Sequence, residues 1–154
     1  MKALIAGNWK MNGLGESAKA LAEGLKAVSA EQEPSAELLV CPPFPYLGLV
    51  AQALAGSRIA LGGQDCHSAT SGAHTGDTAA PMLRDVGCSY VILGHSERRS
   101  DHGETDAQIR AKAETALAAG LVPIVCVGET EEQRSAGEAL AVIARQVKGS
   151  VPAG

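Results

Sequence analysis

Short apolar runs alternate along the chain with longer stretches whose apolar residues recur every three or four positions. The runs at residues 3–9, 37–41, 59–63, 90–93 and 122–127 predict strands. The stretches at 17–29, 46–55, 78–86, 105–119 and 130–147 predict amphipathic helices. Thr105 with Gln108, and Thr130 with Gln133, stand at capping-box spacing, where hydroxyl and amide satisfy first-turn backbone groups. Gly87 and Gly120 each follow a helical run, where a left-handed cap prefers glycine. Strand and helix therefore alternate five times, at roughly the 30-residue interval of βαβ units. No linker, low-complexity segment or charge block divides the chain, so residues 1–154 read as one domain.

Five consecutive βα units leave two architectures, an open doubly wound sheet or part of a (β/α)8 barrel. No Gly-x-Gly-x-x-Gly or Walker loop follows the first strand, which weakens the nucleotide-binding sheet. Composition sharpens the class: 45% of the 154 residues are hydrophobic, mostly Ala, Leu and Val, and 3% are aromatic. That mix suits helices on a parallel sheet better than an all-β sandwich. The net charge of −4, with no dense basic stretch, argues against nucleic acid as a partner. Cys41, Cys66, Cys88 and Cys126 are far apart and form no CxxC pair, so neither a disulfide framework nor a cysteine zinc site is expected. The apolar run at the start is too short for a signal peptide, and nothing approaches a membrane span; a cytoplasmic location is expected.

Chemistry on such folds gathers at the carboxyl ends of strands. The first strand ends Gly7-Asn8-Trp9-Lys10, and strand alternation puts Asn8 and Lys10 on one face. An amide beside an ammonium suits an anion or a polarised carbonyl, but the pattern equally fits a solvated Lys beside a turn. The fourth strand runs into Gly94-His95-Ser96-Glu97-Arg98-Arg99. A helix beginning near Ser96 would disfavour the imidazolium and leave His95 a neutral donor. The alternative is a capping His beside a salt-bridged loop. Cys126, ending the fifth run, reads as a packing thiol. The Gly-rich loop 71–77 lacks phosphate-loop spacing and reads as a protruding interaction loop. His67 and His102 have no ligand-like partners by spacing, and Glu104 reads as serving a helix dipole.

Together these segments resemble one family. GNWKMN at 7–12, CPPFPYL at 41–47, GGQDCH at 62–67, SGAHTGD at 71–77, YVILGHSERR at 90–99 and IVCVGET at 124–130 are similar to triose-phosphate isomerase, in that family's order and spacing. The resemblance spans essentially all 154 residues and implies a parallel-sheet α/β fold, the first five βα units of a (β/α)8 TIM barrel. It implies interconversion of dihydroxyacetone phosphate and glyceraldehyde 3-phosphate through an enediolate, with neither metal nor cofactor. Carried over, Asn8, Lys10 and Ser96 contact the phosphorylated triose, with Lys10 offsetting negative charge. His95 is the electrophile, and Glu97 supports the site through Lys10. A neutral catalytic His facing a Glu base is the established arrangement of that family. Met11, Thr75 and Arg98 match positions near a homodimer interface, where Thr75 lies in a loop that enters the neighbouring subunit. His74 stands where many members carry an aromatic.

A full barrel takes about 250 residues. Gly154 falls just before the strand expected to carry the glutamate base, and Glu97 and Glu129 are poor substitutes. A polypeptide of these residues alone is therefore expected to be inactive, and its open strand edges to favour self-association. The alternative is a non-catalytic half-barrel serving as a binding or structural module.

Overall fold

The structure, a computed structural model, describes residues 3–32 and 34–153. Met1, Lys2, Glu33 and Gly154 lie outside them. Five strands form one parallel sheet: β1 (Leu4–Asn8), β2 (Glu37–Cys41), β3 (Ala60–Gly63), β4 (Tyr90–Leu93) and β5 (Val122–Val125). Their spatial order is the order of the chain, β1-β2-β3-β4-β5. A doubly wound sheet reverses direction at a switch point; this one never does, so the barrel alternative holds.

Helix α1 (Gly15–Glu31) follows β1, and α2 (Leu47–Ala53), entered through a 3-10 turn at Phe44–Tyr46, follows β2. Next come α3 (Ala80–Asp85), α4 (Ser96–Asp101) and α5 (Asp106–Ala118), then α6 (Glu131–Ser135) and α7 (Ala139–Ser150). Both capping boxes form: Gln108 N–H reaches Thr105 Oγ1 at 3.3 Å, and Gln133 N–H reaches Thr130 Oγ1 at the same distance. Gly87 and Gly120 close α3 and α5 in left-handed conformations, as their positions predict.

One helix departs from expectation. The stretch 130–147 is not continuous but breaks into α6 and α7 at Gly137, whose φ is +77°. Gly137 N–H donates to Arg134 O at 3.0 Å and Glu138 N–H to Gln133 O at 2.9 Å, a complete Schellman pair. The glycine lets the chain satisfy those carbonyls and turn, whereas the apolar period simply resumes beyond it. The fifth strand likewise ends at Val125, two residues early.

Strand alternation divides the apolar residues between two clusters. Val40, Leu61, Val91 and Leu93 face the helices and pack with Val50, Leu83, Ile109 and Leu121 in the main core. On the other face Leu39, Cys41 and Ile92 gather with Ala60, Tyr90, Ile124 and Cys126. Leu39 and Ile92 belong to β2 and β4, which are not hydrogen-bonded neighbours, so the sheet curls inward over β3. Gly62 permits that closeness: a Cβ there would lie 2.8 Å from Cys41 Sγ. Among the described residues nothing pairs with the outer edges of β1 and β5, and Ile5 and Val122 on those strands are more than half exposed.

Candidate active site

At the carboxyl end of β1 the strand stops at Asn8, and Trp9 turns into the main core. Lys10 does not continue the pleat, as alternation had implied. Its φ is +54°, unique among the described non-glycine residues. A non-glycine residue held there costs about 1–3 kcal/mol and persists only where its surroundings impose it. Here Lys10 N–H donates to Asn8 Oδ1 at 2.9 Å. On its other side Gln64 Nε2 donates to Lys10 O at 2.8 Å and to Cys41 O at 2.9 Å. Two side-chain amides therefore clamp the peptide that aims the lysine. Asn8 earns its place through the backbone, and Gln64, immediately after β3, was not singled out in the sequence because a lone Gln carries no motif.

Lys10 Nζ donates to Glu97 Oε1 at 2.6 Å. That hydrogen bond holds the Glu97 carboxyl below the usual carboxylate range. The second oxygen of the same carboxylate, Oε2, lies 3.4 Å from His95 Nδ1. Glu97 thus links the residues contributed by β1 and β4, which are separated by two intervening strands.

His95 caps α4, and its Nδ1 accepts the Glu97 backbone N–H at 3.3 Å. This bond needs the Nδ1 lone pair, whereas an ionic contact with Oε2 would need a proton there. The backbone bond favours the tautomer that carries its proton on Nε2. The expected short helix at Ser96 is present, and Ser96 is its exposed first residue. Gly94, at φ +63°, makes the turn possible, because a Cβ there would lie 2.6 Å from Ile109 Cδ1.

Behind His95, Arg99 ties four segments together. It donates to Gly94 O at 2.8 Å, Asp106 Oδ1 at 2.7 Å, Cys126 O at 3.0 Å and Ser150 Oγ at 3.2 Å. Arg98 turns inward as well, pairing with Glu104 at 2.7 Å and Asp65 at 3.0 Å. Lys112 completes the group with both oxygens of Asp65 at 2.9 Å and with Glu104. Glu104 is therefore part of a buried four-charge cluster rather than a helix-dipole partner. Its distance in sequence from Asp65 and Lys112 hid that role. Burial raises the Glu104 carboxyl, and hydrogen bonds from Lys112 and Arg98 more than reverse it, leaving it below its ordinary value. Burial prevails at Asp65, which is raised despite Lys112.

Glu129 is bound to Arg134 at 2.6 Å. Cys126 is half-buried on the concave face, and burial pushes its thiol up. The thiols of Cys41, Cys66 and Cys88 are pushed up to about 12 by burial, so all three behave as packing groups. Met11 is 95% exposed, and every residue of the 71–77 loop, Thr75 included, is exposed. His67 lies in the loop after β3, and loop closure rather than helical or strand spacing gives it partners: its ring stacks on His74, centroids 3.9 Å apart, with Asp77 beside it. His102 is exposed at the end of α4, as expected. A cavity of about 370 Å³ opens at the opposite end of the sheet, beside Lys26, Glu37 and Ile59, and touches none of the site residues. Among the described residues no helix is long and apolar enough to cross a membrane.

The family model described as triosephosphate isomerase matches residues 3–153. The triosephosphate isomerase of Gluconacetobacter diazotrophicus is 54% identical over 158 residues, covering 100% of this chain and 62% of that protein. That of Afipia carboxidovorans is 57% identical, over 100% of this chain and 61% of the relative. The crystal structure of triosephosphate isomerase from Bartonella henselae superposes with a TM-score of 0.91 at 46% identity, over 100% of this chain and 63% of that one. This chain thus spans about three-fifths of the length of the relatives it matches. With the sheet order, the Lys10–Glu97–His95 linkage and these matches in agreement, the chain belongs to the triosephosphate isomerase family.

Proposed function

We propose that residues 1–154, a single incomplete barrel domain, supply the electrophilic side of an isomerase site. That site interconverts dihydroxyacetone phosphate and glyceraldehyde 3-phosphate, a step of glycolysis and gluconeogenesis. The observation that carries this reading is the convergence of Lys10 and His95 on Glu97, whose carboxylate accepts from Lys10 Nζ and whose backbone N–H donates to His95 Nδ1. When a base removes the proton on the carbon next to the substrate carbonyl, negative charge develops on the carbonyl oxygen. His95, as the neutral Nε2–H donor, stabilises that oxygen, and proton exchange at the same nitrogen serves the neighbouring oxygen. Lys10 offsets the charge of the phosphate and the enediolate, with Glu97 fixing its ammonium. Asn8 and Ser96 line the substrate's approach. No metal or cofactor enters this scheme.

Among the described residues neither carboxylate near the strand ends is free to act as the base. Glu97 is tied to Lys10 and Glu129 to Arg134, which leaves neither poised for a carbon-bound proton. The reading therefore requires a carboxylate from outside residues 1–154. We further propose a cytoplasmic protein that self-associates as a homodimer through Met11, Thr75 and the segment at Arg98. Exposure of Met11 and of the Thr75 loop supports that surface.

The test is a coupled isomerase assay on three samples. They are the purified 154-residue chain, the chain mixed with a polypeptide carrying the last three βα units of a relative, and the same mixture with His95→Gln. The reading expects turnover only in the second sample. Turnover by the chain alone near the rate of full-length relatives, or a mixture indifferent to His95→Gln, would overturn it. The non-catalytic binding-module alternative gains if the two polypeptides associate without any turnover.

A further inference from the structure

The loop between β3 and α3 brings together three side chains that the proposed isomerase site does not use. His67, His74 and Asp77 each offer a ligand atom within 4.8 Å of the others, and they form the one such group among the described residues. The backbone builds this arrangement. His67 N–H donates to Thr78 O at 2.8 Å and closes the base of the loop. Within it His74 N–H donates to Gly72 O at 3.0 Å, and Asp77 N–H donates to His74 O at 3.1 Å. Gly72, at φ +138°, and Gly76, at φ +92°, bend the chain on either side of His74. The two imidazoles stack with an interplanar angle of 29°, and His67 Nε2 lies 3.9 Å from Asp77 Oδ2.

We propose that His67, His74 and Asp77 bind a late first-row divalent cation, with Zn²⁺ as the reference ion. Two imidazole nitrogens and one carboxylate form a borderline donor set that favours such ions over Mg²⁺ or Ca²⁺, which prefer oxygen. Three ligands on a loop that is exposed in the unassociated chain leave the remaining coordination position there to water. Ligand atoms around a tetrahedral zinc stand about 3.4 Å apart, so the present separations need only modest closure. Side-chain rotation supplies it, because His74 and Asp77 are exposed and His67 is only half-buried.

Binding carries a structural signature. In the free protein His67 Nδ1 accepts the Ala69 N–H at 2.9 Å, which places the ring proton on Nε2. Ligation through Nε2 moves that proton to Nδ1 and releases the Ala69 amide. The cation thus exchanges one loop hydrogen bond for three ligand bonds, joining the loop's base at His67 to the tip that carries Thr75. None of these residues belongs to the Lys10–Glu97–His95 group, so the site stands or falls separately from the isomerase chemistry; it shares its loop with the proposed dimer surface and is a site of the unassociated chain.

The experiment is a titration of the tag-free 154-residue chain with Zn²⁺ at neutral pH. It is followed by calorimetry and by amide NMR, beside His74→Phe, Asp77→Asn and a Mg²⁺ control. One ion per chain is expected, with shifts at the Ala69 amide and the His67 ring, and with no response to Mg²⁺. Each substitution should weaken binding by more than about tenfold, since loss of even a supporting partner costs that much. Both changed residues are exposed, and an unchanged far-UV spectrum serves as the check on folding. Absence of saturable zinc binding would overturn the site. So would equal binding by both variants, or shifts confined to His95, His102 or Cys126.

Discussion

β1 and β4 each deliver part of one constellation, yet they hold it very differently. β4 lies between two partners, its residues Val91, Ile92 and Leu93 are buried, and His95 leaves it directly onto a helix braced by Arg99. β1 pairs only with β2, and four of its five residues are exposed. Lys10 depends on two side-chain amides and one half-exposed ion pair. The difference teaches where preorganisation resides. The His95 side is positioned by burial and multiple hydrogen bonds within these residues, whereas the Lys10 side relies on a few polar contacts beside an open edge.

The largest effect that could break this comparison is catalytic. In the complemented assay His95→Gln should lower turnover by about 10²–10⁴-fold, the usual worth of a positioned proton-transfer group. Lys10→Ala should act chiefly through substrate binding, and a larger loss in kcat from Lys10→Ala than from His95→Gln would reverse the ranking of the two halves. Next comes the brace. Arg99→Met strips Asp106, Ser150 and two carbonyls of a largely buried partner and should cost about 3 kcal/mol in urea unfolding. A cost within the range of ordinary surface changes would show that β4 owes its rigidity to packing alone.

A smaller effect is expected at the clamp. Gln64→Leu removes two hydrogen bonds from the Lys10 side and should cost about 1 kcal/mol, because Lys10 O is exposed enough to find water. The sharper readout is the backbone coupling at Lys10, which should shift away from a left-handed value as the residue relaxes. Retention of the left-handed value would assign the strain to Asn8. The smallest effect is the pH response of the exposed Lys10–Glu97 pair. Glu97 is lowered in the folded chain, so its stabilising contribution is present above its unfolded pKa of about 4.3 and fades as pH falls through the lower folded value. Carboxyl NMR should show that lowered titration, and Lys10→Met should return it toward the ordinary value.

Much of the fold is legible because its signals are local. Thr105 and Gln108 cap their own helix three residues apart, and Gly87 and Gly120 end helices by their own backbone freedom. The break at Gly137 escaped because the apolar period continues across it, while the Schellman bonds that interrupt it leave no mark on side-chain hydrophobicity. The GHSERR segment pointed to the site, and its resemblance implied Glu97 acting through Lys10, but it did not show that Arg98 and Arg99 turn inward beside Glu97. All three follow one another on a short helix, and their directions depend on which neighbours the fold supplies. Glu104 was misread and the partners of His67 stayed hidden for a related reason: the residues they meet lie on segments that periodicity treats as separate.

The sequence by itself determined the alternation of strand and helix, the helix ends and the residues able to do chemistry. Each of these is set by propensities and hydrogen bonds reaching only a few residues along the chain. Tertiary structure alone decided that Glu97 would join Lys10, through its carboxylate, to His95, through its backbone N–H, and that Gln64 would hold a strained peptide. It alone decided that Asp65, Arg98, Glu104 and Lys112 would share a buried site, and that His67 would meet His74 and Asp77. These pairings arise because sheet order and curvature bring strand ends and loops within hydrogen-bond reach, and such distances have no counterpart in linear spacing.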